Sequence, residues 1–363
     1  MLKAKDNETP SKSGLQPKAD GRAQAVTRSC VRPPRRQMKV IYLDQNHWIE
    51  LSRAAHGRAS RTETPNVLDA ICKARASGQA IFPLSLAHYL ETLKRQTPDS
   101  RARLATFMLD LSGGITIAPL QMVVRHEIEV ALQRCFPSRV VPEPFKFLGS
   151  GLTHAAGKDF SFELEWPQEA NDIPAPHRTA FEQHALASAE HSLLSGVLPT
   201  GDPLEPEPAM DLSPSRQFKE ALEEWRGVAS RYPSDQLERR IYAITLYDIS
   251  DALWETLARY KIPIEEFASL GEPRWRVLLD DMPSRRADMH LRRQWAKNAS
   301  LMPKDSDLND WAYLGVAVSY CDIVVTEKQV ADLFSRRFDT HATVVPQLGR
   351  LPELLEQNYG DGL

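Results

Sequence analysis

Short apolar runs alternate with amphipathic segments over much of this 363-residue chain. Residues 38–44, "MKVIYLD", are rich in β-forming side chains, and residues 46–57 place Trp48, Leu51 and Ala55 at helical spacing. These patterns predict a strand followed by a helix. Further strands are predicted at 80–85, 114–119, 322–327 and 342–346, each followed by a helix. Strands joined to helices by short links favour a parallel sheet covered by helices, so we expect an α/β protein.

The alternation stops between about residues 137 and 235, where proline and acidic residues are dense. Two helices are predicted inside this stretch, at 179–196 and 214–231, and helical patterns continue from 235 to 300. We therefore predict a large, mainly helical insertion over 137–300. Its aromatic residues at helical spacings are predicted to be core: Tyr242, Tyr247, Trp254 and Tyr260.

Charge is unevenly divided along the chain. Residues 1–37 carry nine Lys or Arg and three acidic residues, whereas the whole chain has a net charge of −3. We predict a disordered basic tail at 1–37, and an arm that touches phosphates is left open. The four cysteines lack CxxC pairing, which disfavours a zinc module and fits a reducing cytoplasm. No apolar run approaches the roughly 18 to 20 residues of a membrane helix, so no membrane contact is expected.

Acidic residues occupy the ends of predicted strands and the starts of predicted helices. They are Asp44, Glu91, Asp307, Asp310 and Glu327. Each has an ordinary explanation as a helix cap, a first-turn acid or a solvated charge. Asp44 is harder to explain in this way, because a carboxylate that ends an apolar strand is partly desolvated and needs partners. If these acids meet at one edge of the sheet, their repulsion favours a hard divalent cation, Mg²⁺ or Mn²⁺.

Three stretches give the chain a resemblance to a known family. They are "VIYLDQN" (40–46), "IFPLSLAHYLETLK" (81–94) and "DLNDWAYLGVAVSYCDIVVTEKQVADLF" (307–334). Together they resemble the PIN-domain family of metal-dependent ribonucleases. The resemblance implies a three-layer α/β/α fold with a central parallel sheet. Residues 38–136 and 301–363 would be its two halves, with 137–300 inserted between them.

The same resemblance implies roles for individual residues. Asp44, Glu91 and Asp310 would bind the metal ion, and Asp307 would be a further ligand or a supporting acid. Asn46 would orient Asp44 or a phosphate, and Thr326 would hydrogen-bond a water or a ligand carboxylate. The implied activity is endonucleolytic hydrolysis of RNA by in-line attack of water, with Mg²⁺ or Mn²⁺ offsetting the charge on the leaving oxygen.

The chain departs from the family pattern near the fourth strand. Lys328 stands where the pattern has an acid, and a lysine there could contact the scissile phosphate. Glu327 comes one residue early and can replace that acid only if the strand has already ended, because adjacent strand residues face opposite sides. Asp322 is a weaker substitute because it begins the strand.

Other residues near the motifs are weighed against ordinary structural roles. His47 and His56 flank the first helix, and an isolated histidine is more often packed or exposed than a ligand. His88 precedes Glu91 by one turn and could lie beside the site. The acidic body is unfavourable for attracting RNA, so basic stretches at 290–298 and 335–338, with Trp295 available for stacking, are candidates for a binding track.

The prediction is therefore a cytoplasmic, metal-dependent endoribonuclease, either a toxin or an RNA-processing factor, whose partner is RNA. An inhibitor protein and an oligomer are left open. The alternative is a PIN-fold module that has lost catalysis and binds RNA or protein, and Lys328 favours that alternative. A nuclease for flapped DNA is disfavoured, because the chain shows no DNA-anchoring motif.

Overall fold

The computed structural model describes residues 2–4, 38–95, 97–157, 162–164, 173–197, 200, 213–229, 231–298, 307–335 and 338–357. Residues 2–4, 162–164, 213–215, 228, 307–310 and 335 are described at the level of the main chain. Within these ranges the chain is mainly helical and contains a small parallel sheet of four strands.

The strands are β1 (Leu2–Ala4), β2 (Lys39–Leu43), β3 (Ala80–Ile81), β4 (Ile115–Ile117), β5 (Leu148–Ser150), β6 (Phe162–Leu164), β7 (Ile323–Val325) and β8 (Thr343–Val345). The helices of the first third are α1 (Gln45–Ala55), α2 (Thr64–Ala76), α3 (Leu86–Leu93), α4 (Pro98–Ser112) and α5 (Leu120–Cys135). Those of the middle are α6 (Gly151–Ala156), α7 (Ala175–Ser195), α8 (Ser213–Ala229), α9 (Ser234–Asp248), α10 (Ser250–Arg259), α11 (Ile264–Ser269), α12 (Gly271–Asp280) and α13 (Pro283–Lys297). The last are α14 (Asp307–Tyr320), α15 (Lys328–Ser335) and α16 (Leu351–Glu356).

The central sheet has the order β3-β2-β7-β8, and every neighbouring pair is parallel. This confirms the predicted parallel sheet, and its small size among many helices is compatible with the predicted α/β class. The second predicted strand is shorter than expected, because Pro83 interrupts it and leaves Leu84 to form an isolated parallel bridge with Thr116. The third predicted strand, β4, therefore touches the sheet through that bridge, and its ladder is antiparallel with β5.

Side chains of the central strands alternate between the two faces of the sheet. Ile41 and Leu43 belong to a core that includes residues of α1, α2 and α4. Tyr42 and Val324 belong to a second core with residues of α5, α13 and α14. Helices therefore cover both faces, and the acidic residues that follow the strands are left at an edge of the sheet rather than on a face.

The predicted insertion packs around a helix that precedes it. Ile128 and Leu132 of α5 share a hydrophobic cluster with Ile241 of α9 and Leu253 of α10. The helices predicted at 179–196 and 214–231 are confirmed as α7 and α8. Buried Glu127 of α5 accepts hydrogen bonds from Ser284 at the start of α13 (2.8 Å from the main-chain N–H) and from Tyr320 of α14 (2.8 Å). One carboxylate thus ties the insertion to both halves of the sheet domain.

The prediction that the insertion's aromatic residues are core is wrong for two of them. Tyr247 is 78% exposed and Trp254 is 42% exposed. These aromatic residues lie in and just after two helices, α9 and α10, which are separated by a break at Ile249. Tyr247 also lies off the buried stripe formed by Leu237, Ile241 and Thr245, because it is not spaced three or four residues from Ile241.

The ends of the chain add little to the described fold. Leu2–Ala4, inside the segment predicted to be a disordered tail, pairs antiparallel with Phe162–Leu164, and residues 1 and 5–37 lie outside the described residues.

No helix in the described ranges is both long and apolar enough to cross a bilayer. Cys72, Cys135 and Cys321 are free thiols.

Candidate functional site

The carboxyl ends of β2 and β7 form a switch point in the sheet. The chain leaves β2 towards β3 on one side, whereas β7 leads to β8 on the other. Connections that diverge in this way open a crevice outside the carboxyl ends of the two strands, which is where ligands bind in open parallel sheets. Asp44 immediately follows β2 and Thr326 immediately follows β7.

Asp44 is fixed in this crevice by the neighbouring strand. Its main-chain N–H donates to the Val325 carbonyl (2.9 Å), and its Oδ2 accepts from Thr326 Oγ1 (3.3 Å). Burial raises the pKa of Asp44, as does the charge of Glu327, while His47 acts in the opposite direction. Asp44 occupies the N-cap position of α1 without a side-chain capping hydrogen bond, and a hydrogen bond from the Gln45 main chain acts to lower its pKa.

Glu91 reaches the same crevice from α3. Burial, followed by the negative charge of Asp44, raises the pKa of Glu91 to about 7, whereas Lys94 opposes the shift and Glu327 adds to it. Asp44, Glu91 and Glu327 are therefore close enough to repel one another. A carboxyl that titrates near neutrality beside other acids is a frequent feature of functional sites.

Glu327 joins this group because β7 ends at Val325, so strand alternation no longer fixes its direction. Its Oε1 accepts a hydrogen bond from Asn46 Nδ2 (2.7 Å). The sequence predicted Asn46 to orient Asp44 or a phosphate, and its amide contacts Glu327 instead. Asp322 lies at the opposite end of the strand, where it accepts from the Val40 N–H (2.7 Å). Lys328 is exposed at the first position of α15.

His47 is more involved than the sequence indicated. Its ring is hydrogen-bonded to the main chain of Thr326 and lies within electrostatic reach of Asp44 and Glu327. Because the Thr326 N–H already donates to Val345 (3.1 Å), the bond to His47 uses the Thr326 carbonyl. The ring nitrogen Nε2 is buried and lacks a partner at normal hydrogen-bonding geometry in the described part of the chain. Burial lowers the pKa of His47, so its neutral ring presents a lone pair beside the carboxylates.

His88 joins the end of β2 to the start of α3, the two elements that carry Asp44 and Glu91. Its Nδ1 accepts from the Ser85 N–H (2.8 Å), which completes a capping box at the start of α3. Its Nε2 therefore carries the proton and donates to the Leu43 carbonyl (2.8 Å). Full burial lowers the pKa of His88 to about 4, so it stays neutral. The imidazole links the end of β2 to α3, and through them Asp44 to Glu91.

Asp307 and Asp310 occupy the first turn of α14, which contacts α3, and their side chains lie outside the described residues. Among the side chains that are described, no group of three or more His, Cys, Asp or Glu is arranged to hold a metal ion. The described part of the predicted cluster is therefore Asp44, Glu91 and Glu327, with Thr326, Asn46 and His47 around them.

The basic track predicted at 290–298 is wrong. Arg292 pairs with Asp288 (2.9 Å) and Asp248 (2.6 Å), and Arg293 pairs with Glu238 (2.9 Å). Trp295 is buried, so it is not available to stack on a base. In the stretch 335–338, the side chain of Ser335 and both arginines lie outside the described residues.

Comparison with protein-family models, curated proteins and solved structures finds no match to this chain. What can be inferred about its activity therefore depends on the crevice itself.

Proposed function

We propose that this chain is a PIN-like nuclease that hydrolyses RNA phosphodiester bonds with a divalent cation, Mg²⁺ or Mn²⁺. The observation that carries the proposal is the meeting of Asp44 and Glu91 at the switch point of a parallel sheet, with the pKa of each carboxyl raised. Helices on both faces of the sheet support the three-layer arrangement that the resemblance implies.

The donor atoms in the crevice are of the kind that a hard cation takes, and a full set of ligands would need the acids at the start of α14. Asp44 and Glu91 would supply oxygen ligands, and their pKa values are raised first by burial and then by neighbouring carboxylates. His47 adds a buried nitrogen that lacks a partner at normal hydrogen-bonding geometry among the described residues, and its bond to the Thr326 carbonyl is the support that ligating histidines commonly have. A cation bound there would lower the pKa of an attacking water and offset charge on the leaving oxygen.

The remaining residues of the crevice would orient the donor atoms, add ligands or contact the RNA. Thr326 holds Oδ2 of Asp44 and so fixes the orientation of this carboxylate in the crevice. Asp310 and Asp307, at the start of a helix that contacts α3, would complete the set of acids. Asn46 restrains Glu327 at the rim, and the exposed Lys328 would contact the scissile phosphate.

The alternative function is a binding module that has lost catalysis. Lys328 favours it, because a lysine stands where the family pattern has an acid. The hydrogen bond from Asn46 favours it as well, because it occupies an oxygen of Glu327 that a cation would need. The raised pKa of Glu91 opposes it, because a purely structural site has no reason to keep repelling carboxylates together.

Two measurements test the proposal. Mn²⁺ should raise the melting temperature of the wild-type protein, and Asp44→Asn should abolish that rise, because a ligand that binds the folded state stabilises it. Wild type should cut a labelled mixed RNA pool, whereas EDTA, Asp44→Asn and Asp310→Asn should each stop the cutting. Equal cutting by wild type and both variants would assign the activity to a contaminant or to another site.

A further inference from the structure

A second polar pocket lies beside the carboxyl ends of α1 and α3, the helices next to the carboxylate crevice. We define the arginine pocket by its charged and hydroxyl side chains: Ser52 and Arg53 of α1, His56 and Arg58 just after α1, Arg95 just after α3, and Ser100 and Arg103 of α4. No acidic side chain lines it. Its volume is about 160 Å³, below the roughly 300 Å³ at which pockets for whole small molecules begin. The size suits a small anion rather than a nucleoside.

The arginines of this pocket are not neutralised by acidic side chains in the described part of the chain. None of the four forms an ion pair with any described residue. Arg95 donates from Nη2 to Ser100 Oγ (3.0 Å), while its Nε is buried without a partner among the described residues. Burial and the nearby charge of Arg53 lower the pKa of Arg95. Like charges gathered in a recess are costly unless an anion offsets them.

The chemistry of the lining favours phosphate among small anions. A guanidinium presents several N–H donors in a planar fork that matches the oxygens of a phosphate group. Ser100 adds a hydroxyl in the first turn of α4, where the helix dipole favours negative charge. Asp99 lies in the same turn but does not line the pocket.

The pocket and the carboxylate crevice are built on the same two helices. Gln45, next to Asp44, donates to Thr92 of α3 (2.9 Å) and so joins α1 to α3 beside the crevice. From Gln45 to Arg53, α1 rises about 12 Å, and Arg95 follows Glu91 by about one helical turn. A polynucleotide cut at the crevice could therefore reach the pocket within a few nucleotides.

We propose that the arginine pocket binds a phosphate of the RNA chain, away from the bond that is cut. This rests on the proposed function, because it assumes that RNA lies across the neighbouring crevice. The pocket would supply the positive charge that the acidic body otherwise lacks, and it would fix the register of the RNA without reading its bases.

Binding without cleavage tests this proposal separately from catalysis. The full-length Asp44→Asn chain is mixed in EDTA with a labelled single-stranded RNA, and the dissociation constant is measured over a range of salt concentrations. Arg53→Gln and Arg103→Gln are the pocket variants, because both side chains are exposed and their loss should not disturb folding. Arg274→Gln on α12 is the matched control, since it removes the same charge from an exposed site on another helix.

Each pocket variant should weaken binding about tenfold, as expected when charge-assisted hydrogen bonds to one phosphate are lost. The slope of log K against log salt should become shallower by about 0.7 for one phosphate on a single strand. Arg274→Gln should change neither quantity. Unchanged affinity and slope in both pocket variants, or no RNA binding by the parent chain, would overturn the proposal.

Two further arms separate the possible sources of the phosphate. Equal losses with 5′-phosphorylated and 5′-hydroxyl RNA support an internal phosphodiester, and a loss confined to the phosphorylated RNA supports a terminal phosphate. If inorganic phosphate stabilises the protein but neither pocket variant changes RNA binding, the result counts against an internal phosphodiester and against a terminal phosphate of RNA. If the pocket variants weaken binding but wild type with Mn²⁺ cuts nothing, the pocket stands and the nuclease proposal fails.

Discussion

The raised pKa of Glu91 makes a quantitative prediction about stability. Raising the pKa from 4.5 in the unfolded chain to about 7 in the folded protein corresponds to about 3 kcal/mol at high pH. Partial exposure of the side chain weakens the effect, so we expect about 2 kcal/mol. The folded state binds more protons than the unfolded state between pH 4.5 and about 7. The stability that Glu91 contributes is therefore complete below pH 4.5 and is lost as the pH rises through 7.

Glu91→Gln mimics the protonated carboxyl and should remove this penalty. In EDTA at about pH 8, the variant should be more stable than wild type by about 2 kcal/mol, and the difference should vanish near pH 4.5. Urea unfolding of both proteins between about pH 4 and pH 9 measures this difference in the free energy of unfolding. The quantity to compare is the difference in stability between the two proteins at each pH. Buried His88, whose pKa is lowered to about 4, makes both proteins less stable as the pH falls, and this effect cancels in the difference.

Mn²⁺ and a matched variant test whether electrostatic repulsion causes the stability difference between wild type and Glu91→Gln. Saturating Mn²⁺ should stabilise wild type more than Glu91→Gln and so reduce or reverse the difference, since the cation offsets the same repulsion. Glu356→Gln, which removes an exposed acid from the end of α16, should change stability little at any pH. A Glu91→Gln protein no more stable than wild type at about pH 8 in EDTA would refute the claim that these carboxylates repel one another.

Three other variants test the surroundings of the site. His88→Ala should cost about 3 kcal/mol in urea unfolding and reduce RNA cleavage, because it removes the hydrogen bonds that a buried ring makes with Ser85 and Leu43; unchanged stability would contradict its role in positioning. Asn46→Asp should slow cleavage about tenfold or more, because it replaces a donor to Glu327 with a like charge; Asn46→Ser is the milder control. Glu127→Ala should destabilise the protein by about 3 kcal/mol, because it leaves Ser284 without its buried acceptor; calorimetry should then show whether the insertion melts separately.

Local pattern was enough to place most of the elements. The run at 38–44 and the helical spacing after it predicted β2 and α1 within one or two residues, because side-chain periodicity is a property of a few neighbouring positions. The exception in the sheet, the shortened β3, came from Pro83, a signal that the sequence carried and that the prediction left unused.

Charge and aromatic patterns were less informative, because they report one helix at a time. The arginines at 292 and 293 looked like a binding track, but two of their three acidic partners, Asp248 and Glu238, come from another helix more than forty positions away. The exposure of Tyr247 likewise depended on which face of α9 the rest of the insertion covers.

The order of residues alone shows that acids follow the predicted strands, and the general geometry of parallel sheets was enough to predict that Asp44 and Glu91 would meet. Their surroundings in the crevice depend on contacts between segments that are far apart in the chain. His47 gains its role from the carbonyl of Thr326, which lies 279 positions later in the chain, and the arginine pocket gathers residues of three helices that share no motif. Periodicity is a short-range property of the chain. The burial and the partners of a charge depend on packing between distant segments, which no local pattern records.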